Sequence, residues 1–93
     1  MTATETSTVN PCVRVVEKSY VRIFGVPEAQ VVEAFSDVAT SWRMDGIPLS
    51  LEVHTEKEGW FHVTMRPKRT VSEDERRELL VALRDELTAF IRG

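Results

Sequence analysis

The sequence predicts an α+β fold, in which two helices cover one face of a three-stranded antiparallel sheet. Apolar residues alternate strictly from residue 47 to residue 66, residues 12–24 are rich in Val, Ile, Tyr and Phe, and two amphipathic stretches have helical spacing. Taken in chain order, these patterns give β-α-β-β-α. We therefore expect a two-layer sandwich with a ferredoxin-like strand order that lacks the last strand.

The first predicted element is a strand over residues 12–24, which stops at Gly25. The interruption at residues 17–19 contains no Gly, Asn or Asp, which favours a bulge in one bent strand over a turn between two strands. Its apolar residues fall on both faces, with Val13, Val15, Val21 and Ile23 on one face and Val16, Tyr20 and Phe24 on the other. Because a half-solvated strand needs only one apolar face, we expect part of the second face to be covered.

The first helix is predicted to begin at Pro27 and Glu28 and to end near Arg43, before the Asp45-Gly46 turn signal. Its apolar stripe consists of Val31, Phe35, Val38 and Trp42, flanked by Val32 and Ala39.

The alternating segment predicts a β-hairpin and its register. Residues that face each other across the hairpin must lie on the same side of the sheet, which pairs Val53 with Val63, Leu51 with Met65, and His54 with His62. A three-residue loop, Lys57-Glu58-Gly59, fits this register and places Gly59 in the left-handed conformation.

The second helix is predicted to follow a capping box formed by Ser72 and Glu75. Its core stripe consists of Leu80, Leu83, Leu87 and Phe90, broadened by Leu79 and Ile91. Residues 12–93 are expected to form one domain, and the Thr- and Ser-rich residues 1–11 a disordered lead-in.

Composition, net charge and cysteine count limit the classes of protein to which this chain can belong. The 93 residues are 42% hydrophobic and carry a net charge of −3, which argues against general coating of nucleic acid. Cys12 is the sole cysteine, and the first residues carry no basic or long apolar run, so we expect no signal peptide or membrane span and a cytoplasmic protein. The nine Arg and three Lys are typical of a GC-rich genome, and we expect a bacterial or phage origin.

The outward side of the sheet is the candidate binding surface. Val16, Tyr20, His54, Trp60 and His62 are predicted to face outward there. A free first strand beside a partly apolar face is what a homodimer would bury. We therefore expect a small non-catalytic protein-interaction domain that forms a homodimer and binds a partner protein of unknown identity. We expect no catalytic residue, no cofactor and no metal.

Two alternatives belong to other functional classes. The β-α-β-β-α order resembles that of small dimeric α+β barrel proteins, which implies a small-molecule binder or enzyme with His54 and His62 facing a pocket. The segment 26–37 resembles the first strand-to-helix turn of helix-grip lipid-binding proteins. The first family has a further strand after its last helix and the second has several more strands, so we assign the chain to neither.

The third hypothesis is nucleic-acid binding through the basic residues 66–69, which the acidic helix start at residues 73–75 disfavours.

The two histidines allow further chemistry. With Glu52 or Glu56, His54 and His62 supply at most three ligands for zinc, and no partner is evident to orient either ring. A pH response of two neighbouring imidazoles is favoured over metal binding.

Overall fold

The computed structural model describes residues 12–17 and 19–92 and has the order β-β-α-β-β-α. The elements are β1 (Cys12–Val16), β2 (Tyr20–Phe24), α1 (Glu28–Met44), β3 (Leu49–Lys57), β4 (Trp60–Pro67) and α2 (Glu73–Arg92). The four strands form one antiparallel sheet in the order β1-β2-β4-β3. The α+β class is confirmed, and the predicted lead-in at residues 1–11 lies outside the described residues.

The predicted first strand is two strands, so the expected three-stranded sheet and β-α-β-β-α order are wrong in detail. β1 pairs with β2, with Val16 opposite Tyr20 and Cys12 opposite Phe24. The reversal is made by Glu17, whose φ is +53°, and the Ser19 N–H donates to the Val16 carbonyl at 3.1 Å. A non-glycine residue in the left-handed region makes this turn, so no glycine in the sequence marks it.

The second hairpin has the predicted register. Val53 lies opposite Val63, Leu51 opposite Met65 and His54 opposite His62. Gly59 has the expected positive φ, +82°. The three-residue loop is wrong, because Lys57 pairs with Trp60, and the register shifts between Thr55 and Lys57 instead.

Both helices pack on the face of the sheet that carries the odd-numbered strand residues. The fully buried side chains include Val21 and Ile23 of β2, Val63 of β4, Val31 of α1, and Leu80, Leu83 and Leu87 of α2. The α2 stripe is as predicted. In α1, Ala34 is buried and Phe35 only half-buried, while Val32 is 50% exposed, so this helix is rotated relative to the predicted stripe.

Two side-chain hydrogen bonds join the helices. The Trp42 indole N–H donates to Glu86 Oε2 at 2.7 Å, and Gln30 Nε2 donates to the Ile91 carbonyl at 3.1 Å. Trp42 is 3% exposed, in agreement with its predicted structural role. Within the described residues, neither helix combines the length and apolarity needed to cross a membrane.

Candidate interaction face

The side of the sheet opposite the helices is here called the open face. It carries Arg14 and Val16 of β1; Tyr20, Arg22 and Phe24 of β2; Trp60, His62, Thr64 and Arg66 of β4; and Glu52, His54, Glu56 and Lys57 of β3. No described helix covers this face. Strand alternation produces this division, since every second side chain of a strand points away from the helix layer.

Aromatic and imidazole rings form a band over the central strands β2 and β4 and the adjoining edge strand β3. The ring centroids of Phe24 and Trp60 are 4.3 Å apart. The His62 ring lies 4.8 Å from Tyr20 and 5.0 Å from His54. The Arg22 guanidinium carbon lies 5.3 Å from the Trp60 centroid and 5.8 Å from the Tyr20 centroid, which links the two halves of the band.

Arg22 also holds the carboxylate of Glu56. Its Nε donates to Oε1 at 3.2 Å and its Nη2 to Oε2 at 3.3 Å. This hydrogen-bonded pair lowers the pKa of Glu56 and raises the pKa of Arg22. A further hydrogen bond, from Arg22 Nη2 to the Tyr20 hydroxyl at 3.0 Å, orients the guanidinium group.

The irregularity at the end of β3 brings two successive side chains to the open face. Glu56 contacts Arg22, and the Lys57 ammonium lies 4.7 Å from the Trp60 ring centroid. Neighbouring residues of a regular strand point to opposite sides, but a bulge allows both to point the same way. The bulge therefore provides both the carboxylate and a second cation for the Trp60 ring.

The two histidines contact separate carboxylates. His54 Nε2 lies 3.4 Å from Glu52 Oε1, and His62 Nδ1 lies 3.7 Å from Glu56 Oε1. His62 Nδ1 is buried and has no hydrogen-bond partner within the described chain. Within the described part of the chain, no group of three or more His, Cys, Asp or Glu residues is placed to hold a metal ion.

The basic residues 66–69 do not act as one cluster. Arg66 Nη2 lies 3.5 Å from Glu52, whereas Arg69 Nη2 donates to Glu75 Oε2 at 2.7 Å. The latter contact lowers the pKa of Glu75. It also changes the predicted capping box: the Glu75 N–H donates to Ser72 Oγ at 3.1 Å, while the Glu75 carboxylate binds Arg69.

All five residues predicted to bind a partner lie on the open face, and that role stays a prediction. Tyr20, His54 and His62 are in ring contact, Trp60 joins them through Arg22, and Val16 lies opposite Tyr20 in the β1–β2 pair. Sequence reasoning missed Arg22. Its position between Tyr20 and Phe24 places it on the outward side, but its partner Glu56 is 34 residues away.

Known proteins add no further information about this face. The chain matches no protein family, no curated protein and no solved structure.

Proposed function

We propose that this domain is a non-catalytic protein-interaction module that forms a homodimer through its open face and binds a further protein. The observation that carries the proposal is the uncovered band of Tyr20, Arg22 and Trp60 on the central strands. Tyr, Trp and Arg are the residue types most enriched among the side chains that dominate binding energy in protein interfaces. The cytoplasmic location and the bacterial or phage origin belong to the same proposal.

The side chains of this band are only partly buried, which leaves surface for a partner to cover. Tyr20, Phe24, Trp60 and His62 are only half-buried, although they lie on the two central strands. A second layer over this face would bury their remaining exposed surface, as in two sheets packed face to face about 10 Å apart. Contact between copies through the same patch is the commonest form of association among soluble proteins.

The acidic groups of the face support binding over catalysis. Glu56 is held by Arg22, and Glu52 lies beside both Arg66 and His54. The hydrogen-bonded ion pair with Arg22 lowers the pKa of Glu56, which is opposite to the raised pKa that a general acid requires.

Charge favours one of the two symmetric ways to stack the faces. A two-fold axis parallel to the strands places β1 of one copy over β3 of the other, so that Arg14 lies over His54, with Glu52 and Glu56 on either side of it. An axis perpendicular to the strands places β1 over β1 and brings two Arg14 side chains together. Arg14 forms no ion pair with any described residue, and the first arrangement brings carboxylates of the other copy near it.

The test is the solution mass of the parent and of Tyr20→Asp, measured by light scattering over a range of concentrations. The parent is expected to approach twice its 10.6 kDa chain mass. Tyr20→Asp is expected to remain a folded monomer, because it replaces an aromatic ring of the contact by a charge whose desolvation opposes association.

Val32→Asp is the matched control, since it places the same charge on an exposed apolar residue of the helix layer. It should keep the parent's mass, and helical circular dichroism should show that both variants are folded. A parent that is monomeric at every concentration contradicts the proposal. So does a folded Tyr20→Asp protein with the parent's mass.

A further inference from the structure

A cleft of about 370 Å³ lies where the edge strand β3 begins and β4 ends, beside the last turn of α1. Ala39, Trp42 and Ile47 are among the apolar residues that line it, and only 3% of the Trp42 surface is exposed. Three consecutive residues, Leu49 to Leu51, form the sheet side of the cleft. β3 is an edge strand, so its outer backbone groups, apart from the Leu49 N–H that donates to the Ile47 carbonyl at 2.8 Å, have no strand partner among the described residues.

The charge of the cleft is opposite to that of the chain. Its lining includes Arg43 and Lys68 and no acidic residue, although the chain as a whole carries 15 acidic against 12 basic residues. Among the described residues, neither of these two cations forms an ion pair. The Lys68 N–H donates to the Pro48 carbonyl at 2.9 Å, which fixes the base of the Lys68 side chain against the end of the cleft.

We propose that this cleft binds an extended acidic segment of a partner protein, whose backbone adds to the edge of β3. An edge strand offers unpaired N–H and C=O groups to an incoming strand. Alternate apolar side chains of that segment enter the cleft against Trp42 and Ile47, and its carboxylates approach Arg43 and Lys68. The inference rests on the proposed protein-binding role of the domain, but it does not depend on self-association.

The two tryptophans allow this site to be tested separately from the open face. Trp42 lines the cleft and Trp60 lies on the open face, so their indole N–H signals in a ¹⁵N-labelled protein report on different surfaces. A Trp60→Phe variant assigns the two signals, because it retains only that of Trp42. The probe is a blocked octapeptide of alternating valine and glutamate, titrated into the parent protein.

The expected result is a saturable shift of the Trp42 indole signal, with the Trp60 signal unchanged at constant protein concentration. Arg43→Glu and Lys68→Glu should each raise the peptide's Kd by roughly fivefold or more, because each replaces an attractive charge by a repulsive one. Arg77→Glu, on the exposed side of α2, makes the same change in net charge and should leave the Kd unchanged.

Several results would overturn the proposal. They are an unmoved Trp42 signal, a shift confined to Trp60, equal affinity for a valine–lysine octapeptide, or a Kd unaffected by Arg43→Glu and Lys68→Glu. Equal effects of free isovalerate and the peptide would also overturn it, since they would assign the cleft to a small acid. Failure of this test leaves the mass measurement on the open face unaffected, and the reverse is also true.

Discussion

Arg22 of β2 and Glu56 of β3 form a two-point ion pair across β4, the strand that lies between theirs. The register of β3 shifts between Thr55 and Lys57, on either side of Glu56. The Glu56 carboxylate points toward the centre of the sheet there and reaches Arg22. Arg22 lies at the same time over the rings of Trp60 and Tyr20. One side chain thus organises the central part of the open face.

The ion pair predicts a pH-dependent contribution to stability. The pKa of Glu56 is lowered from its ordinary value of 4.5, so the folded state favours the carboxylate. This stabilisation is fully present above the unfolded pKa and is lost as the pH falls through the lower, folded pKa. Glu56→Gln should therefore unfold at a lower urea concentration than the parent at neutral pH, and the two midpoints should converge in acid.

Glu58→Gln is the control, because it removes the same charge from the exposed hairpin turn. The urea midpoint of Glu58→Gln should match that of the parent at neutral pH and in acid. A Glu56→Gln midpoint that equals the parent's at neutral pH, or a difference that does not shrink as the pH is lowered, would contradict the assigned role of the ion pair.

The hydrogen bond between the helices predicts a difference between two substitutions of Glu86. Glu86→Ala removes the acceptor of the Trp42 indole N–H, whose ring is buried, and should destabilise the protein by about 1 kcal/mol. Glu86→Gln retains an amide oxygen that accepts the same bond and should lose less. Chemical denaturation at low protein concentration measures both, and equal losses would show that the bond contributes nothing.

The conformation of Gly59 predicts a difference between two substitutions at this position. Its φ is +82°, and an added Cβ would meet no neighbouring atom within 4 Å. A substitution is therefore expected to act through backbone strain rather than through a clash with other residues. Gly59→Val should destabilise by about 1–2 kcal/mol. Gly59→Asn should lose less, since Asn tolerates the left-handed region better. Thermal melts that rank Asn with Val would contradict this explanation.

The sequence predicted the elements whose patterns are local and periodic. Strict alternation specified the pairing of His54 with His62, because a slip of one residue would turn every apolar side chain of that strand outward. The β1–β2 turn was missed because Glu17, which has positive φ, is a residue type that gives no turn signal. The rotation of α1 was missed because Ala34 and Val32 are both compatible with an apolar flank, and only packing against the sheet distinguishes them.

The sequence predicted which side chains lie on the open face, but not the contacts that connect them. Alternation placed Tyr20, Trp60 and His62 outward. The role of Arg22 depends on a partner 34 residues away and on the β3 irregularity, neither of which has a local sequence signature. Long-range ion pairs of this kind follow from the strand order, which must be known first.

The proposed dimer joins two open faces with β1 of one copy over β3 of the other. Arg14→Glu and Glu52→Arg each bring like charges together in such a dimer, and each variant alone should sediment as a monomer. In an equimolar mixture both contacts are restored. The new carboxylate of one variant then lies near the new guanidinium group of the other, and the unchanged Glu52 of the first lies near the unchanged Arg14 of the second.

Sedimentation equilibrium of that mixture, beside each variant alone, is the decisive measurement for this dimer. We expect a species of twice the 10.6 kDa chain mass that neither variant forms alone. A mixture that stays at the mass of one chain, or single variants that keep the parent's mass, would contradict the proposed arrangement.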